Sequence, residues 1–188
     1  MDYWDYLGWP DRFGHADYTK RQRLIAAHNR SRTIYTPQLV LHGQDFRSRH
    51  RFKQHVRRIN STPSQAEITL SVTPKTDVLS VTANASLSAE AAGRPAAVFL
   101  ALYENNLSSQ VTDGENAGRT LHHQFVVRRW VGPFTPGPQG HANVTQELPL
   151  GKAWQRQHMG VVVCVFDLRN GDVLQAVSLP LKSGENQR

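Results

Sequence analysis

Sulfur is what this sequence has least of. Among 188 residues there is one cysteine, Cys164. A single thiol excludes a disulfide within the chain and a metal centre built on several thiolates. It also excludes a thiol–disulfide cycle, which needs an attacking and a resolving sulfur. Cys164 lies in the apolar run Met159–Phe166 with no basic residue close by, so it reads as a small buried hydrophobe. Long apolar runs are missing as well. Nothing approaches the ~18–20 residues that carry a helix across a bilayer. The opening residues Met1-Asp2-Tyr3-Trp4-Asp5 have neither the basic nor the apolar region of a signal peptide, so a chain complete as it stands is expected in the cytoplasm. Metal-ligand spacing is absent too. His122 and His123 are adjacent on a strand and point to opposite faces, and His50 and His55 lie five apart on a helix. No metal and no other cofactor is expected.

What is present is unevenly distributed. Residues 1–60 carry twelve Lys/Arg against five Asp/Glu, a net +7, whereas residues 61–188 carry ten of each. Such asymmetry marks two parts of different composition. In the first part Asp17 is placed to cap a helix over Tyr18–Asn29. Pro37 divides two short β-prone pieces within Thr33–Gly43, and Gly43 invites a turn. Ser48 opens a second helix through Ile59, with Phe52, Val56 and Ile59 as one apolar stripe. Its Arg51, Lys53, Arg57 and Arg58 point elsewhere. They read as a solvated face, with a weak nucleic-acid or membrane-surface binder as an alternative. No recognition motif accompanies them, so no specific nucleic acid is expected as a partner.

Asn60-Ser61-Thr62-Pro63-Ser64 reads as a linker, because Pro63 cannot continue a helix and small polar residues surround it. The domain boundary is placed there, giving residues 1–62 and 63–188. Beyond it the period changes from helical to two. Ile68, Leu70 and Val72 alternate with polar residues, as do Leu79, Val81 and Ala83. Strands are expected at Ala96–Glu104, Phe125–Val131, Val144–Leu148, Val161–Asp167 and Val173–Leu179. Asn170-Gly171 is the signal of a two-residue type I′ hairpin. About seven strands and little helix imply an antiparallel β-sandwich-like domain.

The stretch Asp2–Trp9, then Thr19, Arg21-Gln22-Arg23 and Tyr35-Thr36-Pro37-Gln38, resembles a bacterial family known as domain of unknown function 1223. So does a second block, made of Leu102-Tyr103-Glu104, Gly114–Leu121 and Val126-Val127-Arg128. The resemblance implies a thioredoxin-like first domain and a β-rich second one, an α+β chain overall. It also implies an exported, periplasmic parent. Family members place a strand, a Cys-x-x-Cys turn and a helix ahead of the aromatic segment. Here the chain begins at that segment, so the thioredoxin-like part reads as truncated and no catalytic residue is expected in it.

Two places stand out as sites. In thioredoxin-like folds the proline at the position of Pro37 is cis, and the residue before it faces the cysteine turn. Thr36 and Pro37, with Trp4 and Tyr6, are therefore the candidate substrate groove, where a protein or thiol substrate would lie. Glu115, Asn116 and Arg119 form a candidate loop site, in which Arg119 reaches Glu115 or Asp113 or binds an anion. The functional expectation is thiol–disulfide exchange for the parent family and none for this chain. The alternative is a non-enzymatic β-module that binds a protein or an envelope component. An exposed sheet edge in the shortened first part would favour self-association.

Overall fold

The computed structural model describes residues 10–114 and 117–181. The chain is α+β, with few helices and mostly antiparallel sheets.

Helix α1 spans Ala16–His28 and begins two residues earlier than its composition implies. His15, not Asp17, is the N-cap: its backbone is extended and its ring Nδ1 accepts the Asp17 N–H at 3.2 Å. Asp17 sits in the first turn instead, where the helix dipole favours an anion, and pairs with Lys20 at 2.9 Å. Asn29 closes the helix. Its side-chain amide donates to the carbonyls of Ile25 (2.8 Å) and Gly43 (2.9 Å).

Of the two β-prone pieces around Pro37 only the second forms a strand. Strand β1 (Val40–Leu41) pairs with β2 (Gln44–Asp45) across the turn His42-Gly43. Both turn residues have positive φ, 51° and 77°, which is the requirement of a type I′ hairpin. The earlier piece is held by side chains: Gln22 Nε2 donates to the Tyr35 carbonyl at 2.7 Å. Ser48 does not cap the second helix. It precedes a 3-10 turn, Arg49–Arg51, without a side-chain bond, and α2 follows over Phe52–Ser61. Phe46 packs edge-on against Phe52 and His55, yet α2 buries none of its residues.

Seven long strands then build two facing sheets. They are β3 (Ala66–Pro74), β4 (Val78–Leu87), β5 (Ala96–Glu104), and, after a short hairpin of β6 (Leu107–Gln110) and β7 (Thr120–His123), β8 (Val126–Phe134), β9 (His141–Pro149), β10 (Met159–Asp167) and β11 (Val173–Pro180). One sheet has the order β11-β10-β5-β8 and the other β3-β4-β9, all neighbours antiparallel. Alternate residues meet between the sheets: Leu79, Val81 and Ala83 from β4 face Val98, Leu100 and Leu102 from β5 and Val161, Val163 and Val165 from β10. The β6–β7 hairpin was not legible, since Leu107-Ser108-Ser109-Gln110 has no apolar alternation.

Asn170-Gly171 is not a two-residue turn. The β10–β11 connection runs over residues 168–172, and Gly171 alone in it has positive φ. The cause is Asp167, 2% exposed. Outside the loop only Arg94, at 4.0 Å, pairs with its carboxylate among the described residues. The longer loop brings the Arg169 backbone N–H to 2.9 Å and its guanidinium to 2.5 Å. The same loop receives the β1–β2 hairpin: Gly43 lies so close to the Gly171 carbonyl that a Cβ would collide with it, and Gln44 donates to Asp172 at 3.2 Å.

Candidate functional site

A groove of about 510 Å³ lies where α1 and the Thr36–Gln38 segment approach β8. Phe13, Ile25, Val40, Val126, Val127 and Trp130 give it apolar walls; Tyr18, Arg21, Gln22, Thr36 and Gln38 supply the polar groups, and Pro37 completes the rim. The volume is ordinary for a ligand site. The two blocks that carry the family resemblance, far apart in the chain, meet here. Tyr18 OH donates to the Val127 carbonyl at 2.9 Å, tying α1 to β8.

The Thr36–Pro37 side of the groove is braced from behind. Asp45 accepts the Tyr35 hydroxyl (2.5 Å), the Gln38 amide (3.3 Å) and Arg47 Nε (2.9 Å), and its own N–H donates to Asn29 (2.9 Å). Burial pushes the Asp45 carboxyl upward, but these hydrogen bonds from Tyr35, Arg47 and Gln38 outweigh it and hold the group below the usual range. The Thr36–Pro37 peptide bond is cis.

The opposite wall is cationic and aromatic. The Arg21 guanidinium lies 4.2 Å above the Trp130 ring and 4.9 Å from the Phe166 ring, and Phe99 stacks on Trp130 at 5.1 Å. Burial lowers the Arg21 pKa. Nearby, Arg128 Nε donates to Glu104 Oε2 at 2.8 Å, while Glu104 Oε1 accepts the Gln155 N–H. Glu104 is 1% exposed, so this is a buried pair, flanked by Phe13 and Trp154.

Thr36 and Pro37 thus line a groove together. Trp4 and Tyr6 lie outside the described residues, as do Glu115 and Asn116 of the loop site. Arg119 is exposed on the β6–β7 connection, and among the described residues it makes no ion pair with Asp113. Phe13, Tyr18, Val127 and Trp130 were not singled out beforehand. Tyr18 and Val127 are neighbours or members of the resembling blocks, which was the available signal; Phe13 and Trp130 carried none beyond being aromatic. Cys164 sits on β10 opposite Phe99, and burial pushes its thiol up to about 11, with Arg21 opposing the shift. Among the described residues no group of three or more His, Cys, Asp or Glu side chains is placed to hold a metal ion, and no helix is long and apolar enough to cross a membrane.

A seven-stranded sandwich carrying a small helical segment, with a groove at their junction, defines the architecture. Over residues 1–166 the chain matches the family described as "Protein of unknown function (DUF1223)", and it belongs to that family. No curated protein matches it. Among solved structures it is similar to "HBP35 of Porphyromonas gingivalis", with 14% identity and a TM-score of 0.66. That similarity covers 91% of this chain and 62% of the other, so the chain spans about three fifths of that protein's length. At this identity the likeness is one of fold. A domain of the outer membrane lipoprotein Omp28 from the same organism is similar at 14% identity and a TM-score of 0.42, over 64% of this chain and 91% of that one.

Proposed function

We propose that this chain is a binding module, with a thioredoxin-like part over residues 1–62 and a sandwich domain over 63–188, whose junction groove receives an extended polypeptide. The observation that carries the reading is the groove's β8 wall. Among the described residues β8 pairs with β5 alone, so it is an edge strand, and its Val126–Trp130 run lines the groove opposite Thr36–Gln38. An edge strand beside apolar pockets is suited to main-chain pairing with an added strand, with alternate side chains seated in the walls. The chemistry points away from thiol–disulfide catalysis by the chain itself. Its one thiol is largely protonated at neutral pH and has no second sulfur to resolve a mixed disulfide. Thiol exchange, if the parent family performs it, needs sulfur from outside this chain. An exported parent goes with that family expectation.

Hydrogen exchange with and without a reduced, carboxymethylated unfolded protein tests the proposal. Slower exchange confined to Val126–Trp130 and Thr36–Val40 is the expected result. Unchanged exchange there at saturating polypeptide would overturn it. A second reading rests on α2. From Phe46 to Ala66 there are six Lys/Arg and no Asp/Glu, and α2 has no buried residue. This supports weak, steeply salt-dependent attachment to a polyanion. Sequence-selective DNA binding near 0.15 M salt in a gel shift would promote it to the leading function.

A further inference from the structure

The groove contains a half-made ion pair. Arg21 is largely withdrawn from water between Trp130 and Phe166, and among the described residues no carboxylate approaches it. Among the described residues no Asp or Glu lines the groove. A buried cation without a counter-charge is costly, and Arg presents a planar fork of donors suited to a carboxylate. The cation–π contact engages the Trp130 ring face and no acceptor, which leaves the guanidinium N–H groups for a partner.

The next residue along α1 makes the complementary observation. Gln22 is 3% exposed, and its Nε2 is committed to Tyr35 O at 2.7 Å and Gln38 Oε1 at 2.9 Å. That fixes the amide's orientation and leaves Oε1 as an acceptor. Oε1 is shielded and receives no hydrogen bond. An unfilled buried acceptor is destabilising, because it has given up water without gaining a donor. Arg21 and Gln22 both line the groove, which therefore combines a cation and a shielded, unfilled acceptor with apolar walls.

A carboxylate next to an N–H donor next to an apolar group is the chemistry of a polypeptide's C-terminal residue. We propose that the groove captures the carboxyl-terminal end of a polypeptide: the terminal carboxylate meets the Arg21 guanidinium, the last backbone N–H meets Gln22 Oε1, and the last side chain rests on Val126, Val127 and Phe13. The idea rests on the polypeptide-groove reading above and narrows it to chain ends. A fatty acid would satisfy Arg21 and the apolar walls but would leave Gln22 Oε1 unpaired, which is why the peptide is favoured.

The experiment uses the full chain and isothermal titration with three probes: acetyl-Gly-Ser-Gly-Val-Leu with a free carboxylate, the same peptide as its carboxamide, and laurate. The free acid is expected to bind at least tenfold tighter than the amide, with an advantage that shrinks as salt rises. In Arg21→Gln the acid should lose that advantage, and in Arg21→Lys, which keeps the charge but loses the fork, it should be partly regained. Should Arg21→Gln not fold, the acid–amide comparison on the unaltered chain decides alone. Equal affinity of acid and amide would sink the chain-end idea while leaving the groove reading intact. Binding of neither peptide would bring down both. Laurate displacing the free-acid peptide at equal concentration would overturn the polypeptide as occupant.

Discussion

The N-terminal segment and the sandwich are held together in different ways. The sandwich owns a core: Leu79, Val81, Val98, Leu100, Leu102, Val161, Val163 and Val165 are fully buried between its sheets. Residues 10–62 have no such core. Their buried side chains are Thr19, Gln22 and Ala26, and α2 has none. What fixes this segment is a polar lattice around Asp45 and its seat on the sandwich, through Tyr18 on Val127, Arg21 on Trp130, and Gly43 on the 168–172 loop. The contrast teaches that the groove's two walls differ in rigidity. The β8 wall is hydrogen-bonded to the core strand β5, and the Thr36–Gln38 wall is only as stable as its hydrogen bonds and its docking.

The largest effect is expected at a buried ion pair between β5 and β8. Glu104→Gln removes one partner of the buried pair with Arg128 and leaves a guanidinium unmatched. Such losses run to about 3–5 kcal/mol, and urea denaturation should show a correspondingly lower midpoint. A loss under 1 kcal/mol would mean that water already reaches the pair.

Leu100→Ala opens a cavity in the sandwich and should cost about 2–5 kcal/mol. Leu24→Ala, on the outer face of α1 at 62% exposure, should change stability by less than about 0.5 kcal/mol. Equal losses at the two would contradict the one-core description.

Gly43→Ala tests the docking itself. Its φ of 77° and the Gly171 carbonyl both oppose a methyl group, so a loss of about 1–3 kcal/mol is expected. Limited proteolysis should then cut before residue 62 faster than in the parent chain and leave a fragment near 64–181 intact. A cut inside β5 or β10 first would reverse the ranking of the two regions.

Acid should loosen the N-terminal segment by a smaller amount. The folded pKa of Asp45 lies below its ordinary value of about 3.9. Its contribution is therefore fully present above that value and is lost as pH falls through the lower, folded one. Hydrogen exchange in Tyr35–Val40 should speed up below about pH 4, and Asp45→Asn should remove that dependence. The smallest effect is a rate: with its thiol raised to about 11, Cys164 should react with Ellman's reagent at pH 8 far more slowly in the native chain than in urea. Equal rates would place it at the surface.

The strands with strict alternation were legible because burial on one face demands a period of two. Ala96–Glu104 was placed with the bounds it has, and the other long strands differ by a few residues at their ends. Helix α1 was legible from its body, whereas its start was not, because a histidine took a capping role usually held by Ser, Thr, Asp or Asn. The type I′ hairpin was assigned to Asn170-Gly171 and occurs at His42-Gly43. Dipeptide preference is a local signal, and the ion pair of Asp167 with Arg169 overrode it. Of the residues that line the groove, Thr36 and Pro37 were singled out through a motif, while Phe13 and Trp130 could be placed there only by folding.

The sequence by itself determined the sulfur chemistry that is absent, the charge asymmetry, the family, and an alternating β-rich second part behind a helical first one. The family follows from the resemblance of its motif blocks, and the rest from composition and short-range period. Only the tertiary structure decided which edge strand walls the groove, that Arg21 lies over Trp130 without meeting an acid among the described residues, and that Gln22 presents a buried acceptor. Those facts depend on residues 13 to 109 positions apart being brought within hydrogen-bond reach, and on a buried charge whose neighbours no local pattern names.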